Sequence, residues 1–87
     1  MNMCRILFFA TFKDRTGIRQ DTIDLPLGIS VSALKSMVGD RFPSIKPLLP
    51  HALIAVNREY ARDDTLIPAG AEIAFFPLVS GGNIVDG

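Results

Sequence analysis

The chain has very few of the side chains that build disulfides and metal sites. Its 87 residues include one cysteine, Cys4, and one histidine, His51. A single cysteine excludes an intramolecular disulfide, and one residue of each type excludes the ligand spacing of a His/Cys metal site. Only a Cys4–His51 nucleophile pair is left open by this count. Cys4 begins an apolar segment, which predicts a buried structural thiol, and His51 follows a proline, which predicts a solvated loop residue.

An excess of charge of either sign is also absent. Nine lysines and arginines balance nine aspartates and glutamates, and the arginines are scattered without a stripe or run. A surface that binds phosphate backbones or acidic membranes needs clustered positive charge, so we expect neither nucleic acid nor membrane as a partner. Asp63 and Asp64 are adjacent and followed by Thr65, a pattern more typical of a turn than of a cation site.

Long apolar runs are missing as well. The longest are far shorter than the ~18 residues that a membrane-spanning helix needs. The first residues do not show a charged region leading into an apolar stretch with a small-residue cleavage site. We therefore expect a small cytoplasmic protein with a single folded domain.

The chain does contain a series of short apolar segments separated by turn residues. Branched and aromatic residues or an apolar-polar alternation predict strands at 4–10, 19–25, 53–57, 59–61 and 72–79. A stripe formed by Val31, Leu34, Val38 and Phe42 predicts one amphipathic helix, with Ser30 as its N-cap. Pro43 should end this helix, and the segment 44–50 is expected to be irregular.

The order strand, strand, helix, strand, strand, strand predicts an α+β roll. We expect a ubiquitin-like β-grasp with a mixed sheet of about five strands and one main helix packed across one face. The first and last strands should lie side by side in parallel at its centre, because a parallel pair needs a long crossover. The expected divisions are a domain at 3–80, a Gly-Gly tail at 81–82 and a C-terminal extension at 83–87.

The outer face of this sheet should be apolar. Glu72 is unlikely to be fully buried, so it marks the outward side of the last strand, and Arg5 does the same for the first. Ile73, Phe75, Pro77 and Val79 should then face the helix. With 48% hydrophobic residues overall, a patch of several hundred Å², the size typical of interaction sites, is expected. Its predicted members are Leu7, Phe9, Tyr60, Ala74, Phe76 and Leu78. In the alternative interpretation, loops or a distortion at Pro77 cover this patch, or Glu72 lies at a rim and does not report which face of the strand is outward.

Gly81 and Gly82 follow the last strand with only Ser80 between. Two glycines near a terminus are by themselves a weak signal, because termini often fray. Behind a strand, however, a chain without side chains can thread a narrow slot in another protein and deliver its carboxylate there.

Several segments in order resemble the small, sulfur-carrier subunit of molybdopterin synthase, the MoaD family. They are Leu7-Phe8-Phe9-Ala10, Ala55-Val56-Asn57, Pro68-Ala69-Gly70-Ala71-Glu72 and Ala74-Phe75-Phe76-Pro77-Leu78-Val79-Ser80-Gly81-Gly82. The resemblance covers residues 3–82, and the closing motif is its most specific part.

The resemblance implies a sulfur relay. The carboxylate of Gly82, at the end of the Gly81-Gly82 tail, would be adenylated by an E1-like enzyme using ATP and then converted to a thiocarboxylate. Within a heterotetramer with the large subunit it would give its sulfur to cyclic pyranopterin monophosphate. The carrier itself would bind no cofactor, since the ATP is used by the activating enzyme. Partner-binding positions are expected at Leu7, Phe9, Tyr60, Phe76, Leu78 and Val79.

One departure from the family pattern concerns the residues after Gly82. In the family the chain normally ends at the second glycine, whereas here the segment 83–87 leaves Gly82 in a peptide bond. Our leading hypothesis is a precursor trimmed by a processing protease. The second is a diverged member or a residue of gene construction.

Three other functions share this fold and ending or part of it. They are a thiazole-pathway sulfur carrier, a ubiquitin-like protein modifier and a β-grasp binding module with an inert tail. The Phe75-Phe76-Pro77 approach to the tail favours the molybdopterin branch.

Overall fold

The computed structural model describes residues 2–78, which form one mixed sheet and three helical segments. The elements are β1 (Met3–Phe8), α1 (Thr11–Thr16), β2 (Gln20–Asp24), α2 (Val31–Arg41), a 3₁₀ helix (Pro43–His51), β3 (Leu53–Val56), β4 (Glu59–Ala61) and β5 (Glu72–Phe76). Val79, Gly81, Gly82 and the extension at 83–87, all named in the sequence predictions, lie outside the described residues.

The sheet has the strand order β2-β1-β5-β3-β4. β1 and β5 pair in parallel at its centre, with Arg5 opposite Glu72 and Phe8 opposite Phe75. The β1–β2, β3–β4 and β3–β5 pairs are antiparallel. The predicted mixed sheet with a central parallel pair is therefore confirmed.

Helix α2 begins and ends close to where the sequence predicts. The Ser30 hydroxyl accepts a hydrogen bond from the Ala33 N–H at 3.1 Å, as an N-cap should. Val31, Leu34 and Val38 are fully buried. The helix ends at Arg41, because Phe42 precedes a proline and leaves helical geometry.

The core lies between α2 and the inner face of the sheet. Ile6, Ile73 and Phe75 have no exposed surface, and Phe8 packs edge-on against Phe42 with ring centroids 5.2 Å apart. Cys4 belongs to this core at 1% exposure, which confirms a buried thiol.

The prediction of an irregular segment at 44–50 is wrong, because a 3₁₀ helix occupies Pro43–His51. A search for α-helical periodicity misses this 3₁₀ helix, because its prolines lack the N–H donor that the interior of an α-helix needs. Gly39 allows the close packing of this segment on α2. A Cβ there would lie 3.1 Å from Lys46 Cγ and 3.2 Å from Leu49 Cδ1.

Helix α1 was not predicted, because six residues are too few to show a helical repeat. The buried Phe12 side chain packs α1 against the core. The Gly17 N–H caps the C-terminal end of α1 by donating to the Lys13 carbonyl at 2.8 Å. A single large aromatic followed by a glycine C-cap was the available signal.

Among residues 2–78, three residues other than glycine have a positive φ. Asn57 (50°) and Arg58 (71°) form the two-residue reversal between β3 and β4. Ala10, at φ 51° and ψ −123°, joins β1 to α1 in a conformation that side chains disfavour.

The structure confirms the turn predicted at Asp63 and Asp64. Asp63 and Asp64 lie in a turn that returns the chain towards α2, where the Asp63 carbonyl accepts a hydrogen bond from the Ser32 N–H at 2.9 Å.

None of the helices in the part of the chain that the structure describes is long and apolar enough to cross a membrane.

We expect Ala10→Gly to raise the free energy of unfolding by about 1 kcal/mol, because glycine adopts this φ and ψ without strain. Urea denaturation measures the change. The matched control is Ala33→Gly in α2, which should lower stability by roughly 0.5–1 kcal/mol through backbone entropy. Equal losses in both variants would show that Ala10 is not strained.

Candidate functional site: an outward apolar face on the central strands

The face of the sheet opposite α2 carries an apolar surface. The strand register aligns Leu7, Ala74, Ala55 and Tyr60 in one row across four strands. Ala74 and Ala55 are only 9% and 8% exposed although they point away from the helix. Their small side chains form the floor of a groove, because the larger residues around them rise above it.

Aromatic rings form the walls of this groove. Phe9 and Phe76 stack with centroids 4.7 Å apart and planes 9° apart, and Tyr60 meets Phe76 edge-on at 6.5 Å. Phe9 is 40% exposed and Tyr60 77%. The groove has a volume of about 460 Å³. We call its apolar lining the apolar face: Leu7, Phe9, Ala55, Tyr60, Ala74 and Phe76.

A small ion-pair cluster closes one end of the groove. Arg5 pairs with Glu72, its partner in the register, and Arg58 Nε lies 3.8 Å from the other carboxylate oxygen. Glu72 thus points outward as predicted, but it is paired rather than simply solvated. Since both arginines are largely exposed, each pair stabilises the fold by no more than about 1 kcal/mol.

Most of the predicted patch is brought together, but Leu78 is not. It is 55% exposed and lines a separate cleft with Pro47 and His51, beyond the point where Pro77 ends β5. Sequence reasoning missed Ala55, which forms half of the floor, and Leu53, which lies opposite Phe76 in the register and is 37% exposed. The antiparallel pairing of β3 with β5 decides both positions, and it could not be read from either strand alone.

The apolar face lies partly on β5, the strand that precedes the tail in the sequence. β5 contributes Ala74 and Phe76 to the face and then continues through Pro77 and Leu78 towards the glycine pair. A protein that covers the face would therefore contact the strand that precedes the tail in the sequence.

The described residues offer little for side-chain catalysis. Among residues 2–78, no group of three or more His, Cys, Asp and Glu side chains is placed to hold a metal ion. The Cys4 thiol is 1% exposed, which does not suit a nucleophile that must reach a substrate. His51 is exposed, as predicted, in the cleft beside Leu78.

Comparison with known proteins agrees with the resemblance seen in the sequence. The model of the ThiS family matches residues 6–82. The molybdopterin synthase sulfur carrier subunit of Dictyostelium discoideum is 43% identical over 84 residues, covering 93% of this chain and 98% of that protein.

Two solved structures share the fold. SAMP1 from Haloferax volcanii has a TM-score of 0.78 at 24% identity, over 92% of this chain and 99% of that one. Subunits 1 and 2 of the molybdopterin-converting factor from Helicobacter pylori form a protein-protein complex, in which the matched chain has a TM-score of 0.64 at 21% identity. The match covers 92% of this chain and 99% of that one. At these identities the two structures establish the ubiquitin-like β-grasp fold and no more.

The match through residue 82 and the full-length likeness to a carrier subunit establish that this chain belongs to the ThiS family, among the relatives of the molybdopterin synthase sulfur carrier subunits.

Proposed function

We propose that this chain is the sulfur carrier subunit of a molybdopterin synthase and that it acts in the cytoplasm. The observation that carries the proposal is the likeness to a carrier subunit over nearly the whole length of both chains. The family match extends through Gly82, the residue whose carboxylate would carry the sulfur.

The chemistry requires activation of that carboxylate. An E1-like enzyme would join Gly82 to AMP from ATP, releasing pyrophosphate. A hydrosulfide-level sulfur nucleophile would then displace AMP and leave a thiocarboxylate. Acyl-adenylate formation is needed because a carboxylate oxygen is a poor leaving group, whereas AMP is a good one. The thiocarboxylate would give its sulfur to cyclic pyranopterin monophosphate.

The apolar face is the surface we assign to the large subunit of the synthase. Exposed aromatic side chains around a concave floor are typical of the residues that contribute most to binding. In the Helicobacter pylori protein, subunits 1 and 2 form a complex, and we infer an equivalent complex here, arranged as a heterotetramer. Leu78 and Val79 would contact the partner where the tail enters it.

Five residues follow Gly82, so its carboxylate is held in a peptide bond. We propose that a protease removes the segment 83–87 before activation. The product would have the free glycine carboxylate that the E1-like enzyme needs.

The tail chemistry is tested by incubating three chains with the E1-like enzyme of the same organism, ATP and a sulfur source. A chain ending at Gly82 should first appear as the acyl-adenylate, heavier by AMP less one water. After AMP is released it should appear as the thiocarboxylate, which differs from the starting chain by one oxygen-to-sulfur exchange. The full 87-residue chain should gain neither, because it lacks the carboxylate at Gly82, and a chain ending at Gly81 is the control for tail length.

Two outcomes would contradict the proposal. Activation of the full chain at Gly87 would remove any need for processing. Conjugates joined to lysines of other proteins through Gly82, without a thiocarboxylate, would assign the chain to the protein modifiers.

We expect Tyr60→Asp to weaken binding of the large subunit at least about tenfold, because it replaces an exposed aromatic wall of the apolar face with a charge. Leu27→Asp is the matched control, since Leu27 is 74% exposed and Tyr60 77%, yet Leu27 lies outside the apolar face. Isothermal titration calorimetry with a chain ending at Gly82 gives both dissociation constants. Equal effects of the two substitutions would mean that the partner binds elsewhere.

A further inference from the structure

A second groove runs beside the apolar face on the side of β2. It has a volume of about 540 Å³ and shares Leu7 and Phe9 with the apolar face. Its charged lining residues are both cations, Lys13 and Arg19. We call this second groove the basic groove.

Two features of the fold bring Lys13 and Arg19 close to the end of β1. The positive φ of Ala10 turns the chain out of the sheet, and α1 then carries Lys13 along the groove. Arg19 is held from the other side, because its carbonyl accepts a hydrogen bond from the Phe8 N–H at 2.8 Å. A strained residue and a short helix therefore build a feature that the strand pattern alone does not contain.

The charge of this region differs from that of the whole chain. The chain has equal numbers of acidic and basic side chains. The two grooves together are lined by three cations, Lys13, Arg19 and Arg58, and by a single carboxylate, Glu72. That carboxylate is already paired with Arg5, which adds a further positive charge at the rim.

Nearby carboxylates do not neutralise the basic groove in the described structure. Asp21 belongs to β2 but pairs with Arg41 of α2 at 2.7 Å, on the opposite face of the sheet. Asp14 is exposed on α1 and lines neither groove. The surplus of positive charge is thus local to the outer face and continuous with its apolar part.

We propose that the basic groove binds carboxylate side chains of the docking partner, so that the partner surface consists of apolar side chains flanked by aspartate or glutamate. This inference rests on the proposed function, which makes that partner the large subunit of molybdopterin synthase. Complementary charge at the rim of an interface mainly speeds association and fixes orientation, while the apolar contact supplies affinity. Lys13 and Arg19 are specificity-determining residues in this arrangement.

The test measures association of the large subunit with a chain ending at Gly82 by stopped flow or surface plasmon resonance, across a range of NaCl concentrations. For the unaltered chain, the association rate constant should fall steeply as salt rises. Lys13→Glu and Arg19→Glu should each lower that constant about tenfold at low salt and flatten its salt dependence. Lys13→Gln and Arg19→Gln should have smaller effects in the same direction.

Arg15→Glu is the matched control. It makes the same change of charge on the same short helix, but Arg15 is exposed and lines neither groove. Its effect should be a small fraction of that of Lys13→Glu. Circular dichroism of each variant confirms that it is folded.

The outcomes separate this inference from the proposed function. Binding by the unaltered chain that does not depend on salt, or equal effects of Arg15→Glu and Lys13→Glu, overturns the basic groove as a carboxylate site and leaves the carrier function standing. Failure of the unaltered chain to bind the large subunit overturns both.

Discussion

The parallel pairing of β1 with β5 is the constraint on which the rest of the structure depends. It joins the first and last described strands at the centre of the sheet, with most of the chain as the crossover between them. A parallel pair can form only through such a crossover. The same pairing sets Arg5 beside Glu72 and Leu7 beside Ala74, so it builds the inner core and the outer face at once.

The inner face of β1 and β5 is buried in the core, whereas their outer face is partly exposed. Inward, Phe8, Ile73 and Phe75 are almost completely buried against the helices and stabilise the fold of a chain of only 87 residues. Outward, alanines at the floor and aromatics at the walls leave a concave apolar surface. Among residues 2–78 this surface stays partly exposed, and β5, which precedes the glycine pair in the sequence, supplies part of it. In the proposed function, docking at the face and delivery by the tail would be coupled, because the strand that supplies part of the face precedes the tail in the sequence.

The strained Ala10 shows how a local cost can support a surface feature. A turn at positive φ is unfavourable for a residue with a side chain. Burial of Phe12 offsets this cost by fixing α1 against the core. The outcome is a lysine from α1 and an arginine before β2 on one groove, next to the aromatic wall that Phe9 and Phe76 form.

The sequence by itself determined the strands, the one long helix with its Ser30 cap, the outward direction of Glu72 and the family, because these follow from local periodicity, capping chemistry and an ordered set of motifs. It missed α1 and the 3₁₀ helix, which are too short or too proline-rich to show a repeat. Only the tertiary structure decided that Ala55 completes the floor, that Leu78 lies in another cleft and that Lys13 and Arg19 line one groove. These positions depend on strand register and on how the connections pack, and both are set by contacts between residues far apart in the chain.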